Sequence, residues 1–437
     1  MQPFLKLSIL ASFVLALATP ASGQSFKAYV KAAEEALEQK DYNAALQHYA
    51  AALEFQPENT GIQFQYAEIA RRFYAYELAE KYYSKVAESK EGNRFPLANY
   101  RLGEVKKNLG HYDEAKAYFQ AYLAGQAVEE PYSSRARSEL QTCDWARELT
   151  AEPARIDVEN LGRKVNTDYS EFAPYQAGDT LLYSSFRYDR EQDDYRPERK
   201  VAKVLYQRGG SRGRPLRRDF NDDNLHTAHT AFSLDGGRFY FTRCDYINAT
   251  EIRCAIYYRS KDKRGRWSSR IVKLPEEINV PNQTATQPAI GYDSVLQAEV
   301  LFFASDQPGG PGGLNLWWAK VEEGDNAFGS PSLLSALNTD GDDITPFFHT
   351  PTQTLYFSSD GHPALGGFDV FKSRREQAWT EPQNLGTPIN SSYNDIYYFL
   401  GEDGVSGYLS SNRPGSFYLD DSNKACCNDL YSFEPIP

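Results

Sequence analysis

Leu385-Gly386-Thr387-Pro388-Ile389-Asn390 is one of four copies of the phrase Leu-x-x-x-(Val/Ile/Leu)-Asn; the others run from Leu161 to Asn166, Leu274 to Asn279 and Leu333 to Asn338. A degraded fifth copy is read at Phe220 to Leu225. Each phrase precedes the same body. First comes an aromatic-rich strand ending in small or polar residues: Tyr183-Ser184-Ser185, Phe241-Thr242-Arg243, Phe303-Ala304-Ser305, Phe357-Ser358-Ser359 and Leu409-Ser410-Ser411. A further strand follows around Leu205-Tyr206, Ile256-Tyr257, Leu316-Trp317, Val370-Phe371 and Leu430-Tyr431. With Pro174, Ala231, Pro288, Pro346 and Tyr398 taken as equivalent positions, the unit repeats every ~52–58 residues, the period of a propeller blade.

The array opens on a phrase and ends without one. Its last unit is complete only if the first strand, near Ile156 to Val165, pairs with the strand at Asp429 to Phe433, a pairing that leaves no sheet edge exposed. The sequence therefore predicts a five-bladed all-β propeller over Ala154 to Pro437, closed by its N-terminal strand.

Residues 24–150 have a different period. Tyr42, Ala45, Tyr49 and Ala52 recur as Tyr76, Ala79, Tyr83 and Val86, then as Tyr112, Ala115, Phe119 and Tyr122. The spacing is about 34 residues, that of tetratricopeptide helix pairs. A last amphipathic helix from Ser133 to Leu149 is expected to cap the stack, and Glu152-Pro153 to act as a hinge between two separately folding domains. On this register the concave face carries Phe64, Glu68, Arg71, Arg72, Tyr100 and Lys107, a set expected to bind a partner. Arg71, Arg72 and Lys107 together suit a peptide carboxylate.

The 437 residues exceed what one core usually serves, which agrees with two domains. A net charge of −12 excludes the basic footprint that nucleic acid requires. Residues 1–23 read as a signal peptide, with Lys6 in the charged region, Leu7 to Ala18 apolar, and Ala21-Ser22-Gly23 at the cleavage site. No cysteine follows that site, so export without a lipid anchor is expected, as is the absence of a membrane-spanning segment. Five cysteines suit an oxidising compartment. Cys244 and Cys254 flank a short excursion between neighbouring strands and are expected to pair; Cys143, Cys426 and Cys427 are left unassigned.

No catalytic set is apparent. There is no Gly-x-Ser-x-Gly elbow. His226 and His229 form a His-x-x-His, but on a regular strand that spacing sends the side chains to opposite faces. Asp340, Asp342 and Asp343 lack the rest of a calcium loop and read as turn residues. The glycines at 309–313 and 366–367 join strand to strand with no helix to present to a phosphate. The segment from Arg187 to Arg218 is rich in Lys and Arg interspersed with acids, and reads as a solvated insertion. Cofactors and metals are accordingly expected to be absent.

The body phrase, best seen in Thr354 to Gly361 and Gly366 to Phe371, resembles the PD40, or WD40-like, repeat of bacterial envelope proteins. With a tetratricopeptide stack ahead of it, the chain resembles the PorE-type proteins of Bacteroidota without their C-terminal OmpA-like domain. The resemblance implies a non-enzymatic scaffold in the periplasm or at the periplasmic face of the outer membrane, associated with type IX secretion or outer-membrane assembly. Its implied partners are other envelope proteins, with peptidoglycan contact weakened by the missing domain. The alternative readings are a module that binds cell-wall material or polysaccharide at the propeller mouth, and a propeller enzyme such as a lyase.

Overall fold

The computed structural model describes residues 25–125, 128–195, 198–217, 219–248, 250–324 and 326–436. The expected signal peptide, Gln24, Arg218 and Pro437 lie outside the described residues.

Among the described residues, seven α-helices come first: α1 (Phe26–Glu38), α2 (Tyr42–Phe55), α3 (Thr60–Arg72), α4 (Tyr76–Glu88), α5 (Leu97–Asn108), α6 (Tyr112–Leu123) and α7 (Tyr132–Ala151). Ser25, Asp41 and Asn59 cap α1 to α3 by accepting the backbone N–H three residues on. Positive-φ residues at Lys40, Tyr74 and Gly110 end α1, α3 and α5, and the reversing bonds Asp41 N to Ala36 O, Ala75 N to Ala70 O and His111 N to Lys106 O close those ends. Three antiparallel pairs result, packed through alanines with no solvent exposure such as Ala33, Ala45, Ala67 and Ala79. At Gly103 the approach is closer still, because a Cβ there would stand 2.6 Å from the Phe119 ring.

Among the described residues, twenty strands form five four-stranded antiparallel sheets. The first sheet holds β2 (Glu171–Ala177), β3 (Thr180–Asp189), β4 (Lys200–Arg208) and β5 (Arg214–Pro215). The second holds β6 (His226–Phe232), β7 (Arg238–Tyr246), β8 (Ile252–Ser260) and β9 (Val272–Lys273). In the third are β10 (Ala285–Asp293), β11 (Ala298–Ser305), β12 (Asn315–Lys320) and β13 (Ser332–Leu333). The fourth comprises β14 (Asp343–His349), β15 (Thr354–Ser359), β16 (Asp369–Arg374) and β17 (Gln383–Asn384). In the fifth, β18 (Asp395–Leu400), β19 (Gly407–Ser411) and β20 (Asp429–Pro435) are joined by β1 (Ile156–Asn160), whose Val158 stands opposite Phe433. The chain contains a five-bladed β-propeller preceded by an N-terminal helical stretch.

The core lies between blades rather than within them. Tyr240, Ile256 and Tyr258 of the second sheet pack on Leu301 and Phe303 of the third, and Val300 and Phe302 of the third pack on Leu355 and Phe357 of the fourth. Leu430 of the fifth sheet packs with Leu181, Tyr183 and Leu205 of the first.

The repeated asparagine has a specific task. Asn279 donates from Nδ2 to Ile256 O at 3.0 Å and accepts Ile256 N–H at Oδ1, 2.8 Å. Asn338 does the same to Leu316, Asn390 to Val370 and Asn166 to Leu430. The first sheet corrects the repeat reading. Its clamp is Asn221 on Val204, so the fifth phrase is Leu216 to Asn221, not Phe220 to Leu225.

The helical stretch packs on the loops that join the second and third strands of the fourth and fifth sheets and on the crossing from the fourth sheet to the fifth. Cys426 N donates to Phe73 O at 2.8 Å, the Tyr76 and Tyr393 rings lie 5.4 Å apart, and Lys424 pairs with Glu77 at 2.7 Å. Ala425 belongs to the helical core and Leu365 to the cluster around α6 and α7. In place of the expected hinge, Ala154 N is bonded to Thr387 O directly after α7.

Asn279→Ala would leave the N–H of buried Ile256 without a partner, at about 1–3 kcal/mol, while its C=O keeps the bond from Leu274 N–H. The expected loss in urea unfolding is about 1–3 kcal/mol, and a loss under about 0.5 kcal/mol, the level of an ordinary surface change, would show that the clamp does not stabilise the blade.

Asp369 is the second handle. Its Oδ2 accepts Leu365 N–H and Asn384 Nδ2–H, and burial pushes its carboxyl up to about 7. The folded pKa is above the unfolded one of 3.8, so its contribution to stability is present below that value and is lost as pH rises through about 7. Asp369→Asn is expected to flatten the stability profile between pH 4 and pH 7, checked by urea unfolding across that range; an unchanged slope would refute it.

Candidate functional site

Every innermost strand carries the same irregularity. The pairing with its neighbour skips between Phe172 and Tyr175, Ala228 and Ala231, Thr286 and Ala289, Ile344 and Phe347, and Ile396 and Phe399. Inside each skip one residue has positive φ: Ala173 (52°), His229 (57°), Gln287 (56°), Thr345 (55°) and Tyr397 (55°). Non-glycine residues rarely adopt that region, and a bulge re-aims its side chain. Repeated five times around a ring, the bulge turns five side chains toward the axis. It also shifts the second blade's equivalent of Pro174 from Ala231 to Thr230.

Four of the five bulged N–H groups are held by the preceding blade. His229 N donates to Ser184 Oγ (3.3 Å), Gln287 N to Thr242 Oγ1 (3.1 Å), Thr345 N to Gln287 Oε1 (2.8 Å) and Tyr397 N to Thr345 Oγ1 (3.3 Å). Ser184 and Thr242, small polar residues near the ends of aromatic strands, therefore hold the bulges of the next sheets, while Gln287 and Thr345, themselves bulge residues, hold the other two.

The axial side chains close the channel with a directed chain of hydrogen bonds. Because Gln287 Oε1 accepts from Thr345 N, its amide nitrogen faces Tyr397 Oη at 3.3 Å. With that bond accepted, Tyr397 donates its own proton to His229 Nε2 at 2.9 Å. His229 is then neutral and protonated on Nδ1, which faces Thr286 Oγ1 at 3.3 Å; this tautomer follows from the partners. Burial, with His226 nearby, moves the His229 pKa down to about 3, and burial moves the Tyr397 phenol up. Both groups are neutral near pH 7.

Above this floor opens a funnel of about 900 Å³. Tyr175, Phe232, Phe347 and Phe399 stand on its wall, with ring centroids 5.4 Å apart for Tyr175 and Phe232, 5.1 Å for Tyr175 and Phe399, and 4.9 Å for Phe347 and Phe399. The carboxylates on its lining are those of Asp157, Glu159, Glu402, Asp403 and Glu434. The funnel lies at the turns between first and second strands, the opposite end of the blades from the helices. Its chemistry is that of a receptor for a ligand with both apolar faces and neutral hydrogen-bonding groups.

The residues expected to bind a partner on the helices lie elsewhere and are largely internal. Glu68 accepts from Tyr83 Oη and pairs with Arg101 at 3.1 Å, Arg71 at 3.4 Å and Arg72 at 3.7 Å. Lys107 is buried and pairs with Glu139 of α7 at 2.9 Å. Tyr100 is buried against Phe119, Tyr122 and Tyr132, and Phe64 packs on Tyr83 and Phe95. The three cations do not converge on one open site, because each has an internal carboxylate.

Cys244 and Cys254 stand opposite each other in β7 and β8 and form a disulfide. Cys426 is joined to Cys427, and Cys143 is free and buried. His226 accepts Ala202 N–H at Nδ1, while the bulge sends His229 to the axis. Asp342 and Asp343 accept Leu314 N–H and Thr339 N–H. Among the described residues no group of three or more His, Cys, Asp or Glu is placed to hold a metal ion, and no helix is long and apolar enough to cross a membrane.

No protein-family model matches the chain, and no curated protein matches it. Solved structures do. A glycoside hydrolase is 11% identical over 67% of this chain and 95% of its own, with a TM-score of 0.42. A thermostable family-43 glycoside hydrolase is 10% identical over 62% of this chain and 90% of its own, at 0.40. An alpha-L-arabinofuranosidase from Lactobacillus brevis is 9% identical over 62% and 92%, at 0.35. These are glycoside hydrolases and not tetratricopeptide and PD40 envelope proteins, which corrects the resemblance drawn from the repeats. The scaffold role, the type IX secretion setting and the expectation of a non-enzymatic protein fall with it. With TM-scores of 0.42 and lower, the likeness says nothing of what this chain binds.

The axial network makes one direct prediction. The folded pKa of His229 lies below the unfolded value of 6.5, so its stabilising contribution is present above pH 6.5 and is lost as pH falls toward about 3. Imidazole ¹⁵N spectra are expected to show one neutral Nδ1–H tautomer throughout pH 5 to 8, and titration near pH 6 would contradict the hydrogen-bond chain.

Proposed function

We propose that the axial funnel is a carbohydrate-binding site. The observation that carries this reading is the pairing of a neutral, directionally fixed polar floor, His229, Gln287, Thr345 and Tyr397, with a wall of aromatic rings. A sugar presents C–H faces that pack on aromatic rings and hydroxyls that both donate and accept. An uncharged floor binds such a ligand without the desolvation cost of a buried ion. The volume of about 900 Å³ falls in the range of small-ligand sites, about 300–1,000 Å³. A second reading, turnover of a glycoside at the same site, is favoured by the carboxylates on the funnel lining, since glycoside hydrolysis generally uses a carboxylate pair.

Three further proposals concern the architecture. The helices are a tetratricopeptide-type solenoid with α7 as its cap, a reading supported by the three equivalent helix ends at Lys40, Tyr74 and Gly110 and the close approach at Gly103. The ring is closed by its N-terminal strand, which the register of β1 on β20 and the Asn166 clamp on Leu430 support. The protein is exported, a reading to which the disulfide of Cys244 and Cys254 lends support.

Calorimetric titration with xylotetraose, cellotetraose and chitotetraose tests the first proposal. Saturable binding of at least one is expected, weakened about tenfold or more by Tyr397→Phe and by Gln287→Ala, each measured at a temperature where the variant is shown to be folded. No binding of any of the three up to millimolar concentration, or equal binding by both variants, would sink it. Release of new reducing ends, abolished in Glu402→Gln or Asp403→Asn with binding kept, would assign turnover to the same funnel.

A further inference from the structure

The second cavity of the propeller lies beside the disulfide of Cys244 and Cys254 and has a different chemistry. It encloses about 210 Å³ among Arg243, Arg253, Tyr257, Lys273, Asn282 and Gln283. It opens at the C-terminal end of β7, so it is on the end of the ring away from the funnel.

Most of the propeller's half-buried cations have a carboxylate partner. Arg190 pairs with Asp245 at 3.1 Å, Arg259 with Asp219 at 3.1 Å and Arg375 with Asp293 at 2.9 Å; Lys203 pairs with Asp223. Arg243 does not. Among the described residues it makes no ion pair, its Nη2 donates only to the neutral carbonyl of Phe220 at 2.9 Å, and its Nε is enclosed with no partner. Burial moves the Arg243 pKa down; Asp222 and Tyr257 oppose this and Arg259 adds to it. The neighbouring cations are poorly neutralised too. Arg253 reaches Glu251 only at 3.9 Å, with both side chains partly in solvent, and Lys273 makes no ion pair among the described residues. The one carboxylate on the lining, Asp245, faces Arg190. A half-buried guanidinium without a counter-ion is unfavourable unless an anion arrives to meet it.

We propose that this cleft is an oxyanion-binding site, in which Arg243, Arg253 and Lys273 receive a small phosphate or carboxylate group. The Arg243 fork supplies the buried contact, and Lys273, at the exposed lip, attracts the anion from solvent. Two sources carry this chemistry, a phosphate ion and the carboxylate of an acidic sugar. The site stands apart from the funnel, and its test does not depend on what the funnel binds.

Titration of the full chain with inorganic phosphate and with glucuronate, using glucose as the uncharged control, separates the sources. Saturable binding of at least one anion but not glucose is expected, weakening as salt rises from 20 to 300 mM. Arg243→Gln should reduce affinity about tenfold or more. Lys273→Gln, on the exposed lip where it does not disturb folding, should reduce it severalfold, and Tyr397→Phe in the funnel should leave it unchanged. Failure of both anions to bind, binding of glucose equal to glucuronate, or unchanged affinity in Lys273→Gln and a folded Arg243→Gln would each overturn the proposal.

Discussion

The two-way hydrogen bond between one asparagine side chain and one residue of the third strand is the constraint on which the propeller rests. The outermost strands β5, β9, β13 and β17 are two residues long, too short to hold a sheet edge by ladder bonds alone. The asparagine that follows each one replaces the missing ladder by bonding both N–H and C=O of a buried residue. It thereby fixes where the chain leaves one blade and enters the next. In three blades the following hydroxyl residue, Thr167, Thr339 or Ser391, is gripped through its backbone N–H by the carboxylate four positions on, Glu171, Asp343 or Asp395. That carboxylate is the first residue of the next innermost strand, so clamp and strand start are locked together.

With the strand starts fixed, the bulges can be placed reproducibly. A residue at positive φ persists only where its surroundings over-determine it, and here the preceding blade supplies a side-chain oxygen for the exposed N–H at four of the five bulges. Each blade therefore positions the axial side chain of its successor. The floor of the funnel is a property of the ring rather than of any one sheet, and the same bonds that relieve the bulges fix the sense of the hydrogen-bond chain through Gln287, Tyr397 and His229.

The repeat was legible in the sequence because Leu and Asn recur with fixed spacing and each has a direct structural task. The phase failed where the first sheet ends, for a clear reason. There the hydrophobic position is Phe220 and the phrase from Leu216 runs through Arg217, Arg218 and Asp219, so it reads as part of a charged loop. The funnel floor was not legible at all. Positive φ at Ala, His, Gln, Thr and Tyr has no residue signature, and His229 meets Tyr397 across 168 positions. The basic residues of the helices misled in the opposite sense. Lys107 looks like a surface charge until α7 brings Glu139 to it from 32 positions away. The small or polar residues that end each aromatic strand were visible, but the task of Ser184 and Thr242 became clear only once the bulges were seen.

Strand β18 joins the two ends of the molecule. Immediately before it, Ser392 O accepts from Asn108 Nδ2 at 3.4 Å and Tyr393 packs on Tyr76, so the entry to the strand lies under the helices. Within it, Asp395 is held by Arg413, and two residues later Tyr397 reaches the axis. Two alternate residues of a strand span about 7 Å, and close-packed interiors transmit small displacements rather than absorb them. The position of the Tyr397 hydroxyl, on which the order of donors in the floor depends, is therefore set from both directions. The bulge bond from Thr345 holds it within the ring, and the packing of α3 to α5 holds the strand that delivers it.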